Sequence, residues 1–133
     1  TNIGAGRSSS ALNSYSRLSH LLKVYLKTKE KGMTALVVKN FKAAEGKFEA
    51  LGNFFKAVLD DTRSFDGCVK VDVYADELAA TYTLVEEWET FSAHDNYVSW
   101  RTDKGDLDKT GDLVDGGIDN GLAVYEWGTK TDY

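Results

Sequence analysis

The segment of residues 81–101, TYTLVEEWETFSAHDNYVSWR, predicts a strand that passes almost directly into a helix. Side chains alternate between the two faces of a strand, so Tyr82, Leu84, Glu86 and Trp88 share one face. The apolar character of Leu84 and Trp88 indicates that this face is buried. A carboxylate between them needs a partner or a function, because a buried unpaired charge is costly.

The second half of the segment has the spacing of a helix, and Thr90 is predicted to be its N-cap. The helix has two adjacent stripes, one of Phe91, His94, Val98 and Arg101 and one of Ala93, Tyr97 and Trp100. We therefore expect Trp88, His94, Tyr97 and Arg101 to lie near one another at a strand–turn–helix corner. This corner is therefore the candidate functional site.

The rest of the chain from residue 33 onward predicts three more strands and one more long helix. Alternation and helical spacing predict strands over residues 33–41, 68–75 and 122–127, a helix over 45–62, and a hairpin at 76–80. The segment of residues 103–120 is rich in Asp and Gly, with a short helical turn expected around Leu113. Its six aspartates do not match the spacing of a calcium loop, so we expect a solvated acidic loop and no metal site.

The predicted order from residue 33 onward is β-α-β-β-α-β, which is a ferredoxin-like α+β fold with helices on one face of an antiparallel sheet. Two helices leave the other face of the sheet uncovered. An exposed apolar face normally finds a partner, so we expect a homodimer packed sheet against sheet.

Residues 1–31 differ from the rest of the chain in composition. They carry six basic residues against one acidic residue, and the remainder, which we take as one domain of residues 32–133, is net acidic by about ten charges. Residues 11–31 predict a basic amphipathic helix, which is suited to a protein complex, a membrane surface or its own domain. The serine-rich start fits a trimmed organellar transit region or a fragment with a chosen start, and both interpretations stay open.

The overall composition excludes several classes of function. A net charge of −5 argues against nucleic-acid binding, which requires a basic surface. The single cysteine, Cys68, excludes an internal disulfide and a multi-cysteine metal site. No apolar run approaches the roughly 18 residues needed to cross a bilayer, so a soluble protein is expected and its compartment stays open.

Several short motifs between residues 39 and 127 belong together. They are the strand end LVEEW at residues 84–88, the following helix with Ala93, His94 and Tyr97, Asn40 near the end of the first strand, Gly46 at the opening of the next helix, and RSFDGC at 63–68. In these features the chain resembles the antibiotic-biosynthesis-monooxygenase family of dimeric α/β-barrel proteins.

The resemblance implies oxygenation of a small aromatic or quinol substrate by O2 without a metal or flavin cofactor. It requires a base, donors for a developing oxyanion and a dry cavity. His94 is then the candidate base and Asn40 a hydrogen-bond donor to substrate or oxygen intermediate. Trp88 is expected to form a pocket wall. Arg101 is suited to an anionic substrate.

Glu86 and Tyr82 complete the predicted substrate-binding set, since they share the strand face of Trp88. Glu86 is equally suited to an ion pair with Lys39 or Arg101. His94 also has a second interpretation, as a solvated or capping side chain. Many members of the family have a histidine where this chain has Tyr97, which we include as a catalytic candidate. The alternative function is therefore a non-catalytic accessory or assembly subunit that docks on a complex through residues 11–31.

Overall fold

A computed structural model describes residues 33–133, which form a four-stranded sheet covered on one face by helices. The elements in chain order are β1 (Ala35–Lys42), α1 (Phe48–Ser64), β2 (Cys68–Asp76), β3 (Thr81–Trp88), α2 (Phe91–Asp103), α3 (Asp106–Gly111), α4 (Ile118–Gly121) and β4 (Leu122–Thr129). This order confirms the predicted ferredoxin-like α+β fold. The predicted extension of residues 1–31 lies outside the described residues. Within residues 33–133, no helix has the length and apolar composition required to span a membrane.

The sheet has the order β2-β3-β1-β4, and every neighbouring pair is antiparallel. At its centre, Val37 of β1 pairs with Glu86 of β3 on one side and with Glu126 of β4 on the other. All three side chains are buried under the helices. The register therefore places two carboxylates on the covered face, on either side of one valine.

Two apolar clusters fill the space between the sheet and the helices. The cluster under α1 includes Phe41, Leu51, Phe55, Leu59, Val71, Tyr82 and Leu84, and the cluster under α2 consists of Val37, Trp88, Tyr97 and Val124. The predicted strand face of residues 82, 84, 86 and 88 is confirmed as buried. The two clusters lie side by side, and Cys68 and Leu122 pack against both of them.

The connection from β3 to α2 fixes the direction of the helix. The side-chain oxygen of Thr90 accepts a hydrogen bond from the backbone N–H of Ala93 at 3.0 Å, which confirms the predicted N-cap. Gly67 packs beneath this turn with φ +90°, and a Cβ added there would lie 2.5 Å from the Cβ of Ala93. Gly67 thus permits a close approach that places the buried face of α2 over the sheet.

The segment between α2 and β4 is more ordered than the expected acidic loop. It contains two short helices, α3 and α4, and Val114 between them forms a bridge with Ala43. Five of the six aspartates are exposed as predicted, but Asp106 is buried. The prediction was wrong for Asp106 because the guanidinium of Arg101, five residues earlier, reaches past the end of α2 and binds its carboxylate.

Candidate functional site

A cavity of about 370 Å³ lies between the sheet and the helices, where the two apolar clusters meet. Its wall is mostly apolar, with Phe41, Phe55, Leu84 and Val124 among its residues. Lys39, Glu86, His94, Tyr97 and Arg101 bring polar or titratable groups to the same wall. An apolar cavity with a few converging polar groups is the usual form of a small-molecule site.

His94 of α2 is the unusual residue of this cavity. Its side chain is 1% exposed, yet neither ring nitrogen has a hydrogen-bond partner. Nε2 lies 4.0 Å from Oε1 of Glu86, and Nδ1 lies 3.8 Å from Oε2 of Glu126. Both distances exceed hydrogen-bonding range, so these contacts are electrostatic. The expectation of a solvated or capping histidine was wrong, because the buried stripe of α2 carries His94 onto the sheet.

Glu86 is held by two neighbours on the covered face of the sheet. Its Oε1 accepts a hydrogen bond of 2.9 Å from the indole Nε1 of Trp88 and lies 3.2 Å from Nζ of Lys39. Of the two predicted ion-pair partners, Lys39 is the one observed. Trp88 is fully buried and stands edge-on to the His94 ring, with centroids 5.4 Å apart. Its indole N–H is therefore used to fix a carboxylate.

Glu126 is a functional candidate that the sequence analysis missed. Its side chain is 1% exposed and faces the Nδ1 side of His94, whereas Glu86 faces the Nε2 side. The available signal was alternation in the last strand, where Val124 and Glu126 share a face. A glutamate that shares a strand face with a buried valine is predicted to be buried, as Glu86 is predicted from its place beside Leu84 in β3.

The charges around His94 act on its pKa in opposite directions. Burial lowers the pKa of His94 below its ordinary value of 6.5, and the ammonium of Lys39 acts in the same sense, while Glu126 and Glu86 oppose both. The imidazole is therefore neutral at neutral pH. A neutral imidazole with a free lone pair is able to accept a proton.

The opposite side of the cavity is a closed hydrogen-bond network around Arg101. Its Nε donates to the hydroxyl of Tyr97 at 2.9 Å, and its Nη1 donates to Asp106 at 2.8 Å. Its Nη2 donates to the carbonyl of Val58 and to the hydroxyl of Thr62. The Tyr97 and Thr62 hydroxyls also share a hydrogen bond of 2.7 Å. Arg101 and Tyr97 thus line the cavity with their polar groups already engaged by protein.

The structure does not bring Asn40 or Tyr82 to this cavity. Asn40 points to the uncovered face of the sheet, where its Oδ1 accepts a hydrogen bond of 2.7 Å from Thr83. Alternation explains this position, because its neighbours Lys39 and Phe41 both face the helices. Tyr82 lies on the covered face but donates its hydroxyl to the carbonyl of Phe48.

Tyr82 lines a different groove, of about 450 Å³, between α1 and the β2 edge of the sheet. The charged residues of this groove, such as Glu49, Lys56 and Glu77, are exposed. We place the candidate site at the His94 cavity because it alone of the two contains a buried titratable group without a hydrogen-bond partner.

One group of side chains in the described part of the chain has spacing compatible with a metal ion. His94, Asp95 and Glu126 each offer a ligand atom within 4.8 Å of the others. Asp95 is exposed, and acidic groups often cluster without an ion. We therefore treat this geometry as a histidine beside two carboxylates.

The fold and the cavity define an α+β protein with a small-molecule site between its sheet and its helices. The family model for antibiotic biosynthesis monooxygenase matches residues 34–101, which is about half of the chain. The chain therefore belongs to the antibiotic biosynthesis monooxygenase family. The matched region includes His94 and Glu86 but ends before Glu126. No curated relative matches the chain.

Solved structures with the same fold come from several organisms. A conserved protein from Methanosarcina mazei Go1 has a TM-score of 0.59 at 19% identity, covering 77% of this chain and 97% of that one. Rv0793 from Mycobacterium tuberculosis has a TM-score of 0.53 at 21% identity, covering 75% of this chain and 95% of that one. The monooxygenase from the gene ActVA-Orf6 of Streptomyces coelicolor was solved with the ligand Nanaomycin D. It has a TM-score of 0.58 at 12% identity, covering 80% of this chain and 94% of that one. At these identities the likeness shows the fold alone.

Proposed function

We propose that this protein is a cofactor-independent monooxygenase that oxidises a small phenolic or quinol substrate with O2, with His94 as the base. The observation that carries the proposal is the buried imidazole of His94, which lines the cavity and has no hydrogen-bond partner. A buried polar group without a partner costs roughly 1–3 kcal/mol. A substrate hydroxyl in the cavity would supply that partner.

The chemistry balances without any added reductant. For a phenol with hydrogen para to the hydroxyl, His94 accepts the hydroxyl proton and the phenolate passes one electron to O2. The resulting radical and superoxide combine to a peroxide at the para carbon, which takes the proton back from His94. Loss of the ring proton then breaks the O–O bond. The products are a quinone and water: the ring loses four electrons, which O2 accepts.

The charged groups of the cavity are suited to these steps. The ammonium of Lys39 lies 3.2 Å from Glu86 and 5.2 Å from the centre of the Tyr97 ring, on the cavity wall. We assign Lys39 the role of stabilising the phenolate, since a preorganised charge in a dry site is effective there. A volume of about 370 Å³ suits an aromatic compound of one or two rings.

Oxygen consumption with 1-naphthol and with simple hydroquinones tests the proposal. With 1-naphthol we expect one O2 consumed per molecule, and with labelled O2 one labelled oxygen in the quinone product. Activity should survive treatment with a strong chelator. Uptake no faster than that without protein, or activity lost with the chelator, would overturn the proposal. His94→Gln serves as the site control, and its turnover should be at least about 100-fold slower.

A homodimer through the uncovered face of the sheet is part of the proposal. That face carries the stacked rings of Tyr125 and Trp127, with centroids 5.1 Å apart, and Trp127 is 53% exposed. Tyr74 of β2 is 61% exposed on the same face. Light scattering should give twice the chain mass, and Trp127→Ser should weaken the dimer. A monomer at all concentrations would contradict this part.

A second candidate function is a non-catalytic accessory subunit. The observation that favours it is the engaged hydroxyl of Tyr97, at the position where many family members have a histidine. In this case residues 1–31 would hold the partner. Deleting them would abolish co-purification of a complex, whereas an enzyme should retain turnover without them.

A further inference from the structure

We propose that the cavity accepts aromatic ligands that enter without a formal charge and excludes aromatic acids, with Glu86 as the residue that sets this preference. The inference rests on the proposed function, because it defines the class of phenol that the candidate base would meet. It goes further in assigning a specificity residue. It is also opposite to the expectation from the sequence, in which Arg101 is suited to an anionic substrate.

The formal charges on the cavity wall are already paired. Apart from the titratable His94, the charged side chains among the described residues of the wall are Lys39, Glu86, Arg101 and Asp106. Nζ of Lys39 lies 3.2 Å from Oε1 of Glu86. Nη1 of Arg101 lies 2.8 Å from Oδ2 of Asp106. All four residues are buried, so bulk water takes little part in balancing these charges.

Arg101 is not available to an incoming acid. Of its five N–H donors, four are directed at protein acceptors, which are the Tyr97 hydroxyl, the Asp106 carboxylate, the Val58 carbonyl and the Thr62 hydroxyl. A ligand carboxylate at this side would have to compete with the buried Asp106. An aromatic acid therefore finds no unpaired cation here.

Glu86 has the corresponding effect on the His94 side of the cavity. Its Oε1 accepts the indole N–H of Trp88 at 2.9 Å, which fixes the carboxylate beside the ammonium of Lys39. A ligand carboxylate that approached Lys39 would bring a second negative charge close to Glu86. Like charges repel strongly in a dry site. Glu86 thus rejects acids by repulsion, which is a common way to achieve specificity.

A phenol avoids this penalty because its charge arises only inside the cavity. The hydroxyl enters as a neutral group, and its proton then passes to His94. The phenolate and the imidazolium form together, so the total charge of cavity and ligand does not change. An aromatic acid arrives with a negative charge that must be desolvated without a counterion, which is costly.

Calorimetric titration in the absence of O2 tests the inference with three ligands on one ring system: 2-naphthol, 2-naphthamide and 2-naphthoate. The amide has nearly the shape of the carboxylate and lacks its charge. We expect 2-naphthol and the amide to bind, and the acid to bind at least about 30-fold more weakly than the amide at pH 7.5. An acid that binds as tightly as the amide would overturn the inference.

Glu86→Gln tests the assigned residue. Glutamine still offers an oxygen to the indole of Trp88 but leaves the charge of Lys39 unpaired, so the affinity for 2-naphthoate should rise at least about tenfold relative to the amide. Glu87→Gln, on the uncovered face of the same strand, is the matched control and should leave the ratio unchanged. An unchanged ratio in Glu86→Gln would contradict the role of Glu86. The comparison of ligands in the parent protein does not require the variant to fold.

The inference and the proposed function fail separately. If the amide is preferred to the acid but 1-naphthol causes no O2 uptake, the specificity stands and the proposed function fails. If 1-naphthol is oxidised but the acid binds as tightly as the amide, the proposed function stands and the specificity fails. Absence of binding by all three ligands would overturn both.

Discussion

The two sides of the cavity differ in how completely their polar groups are satisfied. Around Arg101, donors and acceptors from α1, α2 and α3 meet in hydrogen bonds of 2.7–3.0 Å. Around His94, two buried carboxylates stand near an imidazole at 3.8 and 4.0 Å without bonding to it. The first arrangement holds helices together. The second is a source of instability that a bound ligand would relieve, which is typical of functional sites.

The sharpest way to break this comparison is to replace His94 by Gln. We expect kcat for naphthol oxidation to fall roughly 100- to 10,000-fold, the usual contribution of a positioned base. The free energy of unfolding should change by less than about 1 kcal/mol, because no hydrogen bond of His94 is lost. Oxygen uptake and urea denaturation measure the two quantities. A large loss of stability would show that His94 supports the fold.

Replacing Arg101 by Met should instead have its main effect on the free energy of unfolding. It leaves the buried carboxylate of Asp106 without its partner, which typically costs about 3–5 kcal/mol of unfolding free energy. The matched control is Lys109→Met, because Lys109 lies 4.0 Å from the same Asp106 but its side chain is 71% exposed. That change should cost about 0–1 kcal/mol. Equal effects in urea denaturation would contradict the assigned role of Arg101.

Tyr97→Phe distinguishes a base from a structural hydroxyl. The variant removes one acceptor of Arg101 and one partner of Thr62, so we expect a loss of about 1–2 kcal/mol in unfolding free energy. If Tyr97 is structural, kcat should stay within about threefold of the parent. A fall of 100-fold or more would move the candidate base from His94 to Tyr97.

The pH dependence of stability should show the smallest effect of the His94 side of the cavity. Since the pKa of His94 is lowered in the folded state, its imidazole binds a proton less readily there than in the unfolded chain. Stability should therefore fall as the pH drops below 6.5, down to the folded-state pKa, and be fully retained above 6.5. Turnover should fall at lower pH, around the folded-state pKa, where the imidazole of the folded protein becomes protonated. His94→Gln should show a smaller loss between pH 7.5 and 5.5, and an equal loss would assign the effect to other groups.

Periodicity predicted most of the fold because each element carries a clear repeat. The buried face of residues 82, 84, 86 and 88 follows from alternation in β3, and the Thr90 cap follows from its place before a helical stripe. Asp106 could not be predicted, because its partner Arg101 reaches it across a helix end whose local composition is that of a loop.

The site was only partly predictable for a related reason. Asn40 and Lys39 are adjacent in β1, so their side chains point to opposite faces of the sheet and only one of them can face the helices. The resemblance directed attention to Asn40, whereas alternation puts Lys39 in the cavity. Glu126 went unnoticed because its strand lies far from the motif in sequence, and only the register across Val37 brings it beside His94. The contact depends on how β3, β1 and β4 pair with one another, and the sequence of one strand does not predict that register.

The short helices α3 and α4 also contribute Leu107, Thr110 and Ile118 to the cavity wall. Their segment is fastened at one end by the Asp106 ion pair and in the middle by the Ala43–Val114 bridge. Neither fastening involves His94 or its carboxylates. We therefore expect that the bulk of Leu107 and Ile118 sets the size of ligand that the cavity admits, and that changing these side chains leaves His94 and its two carboxylates in place.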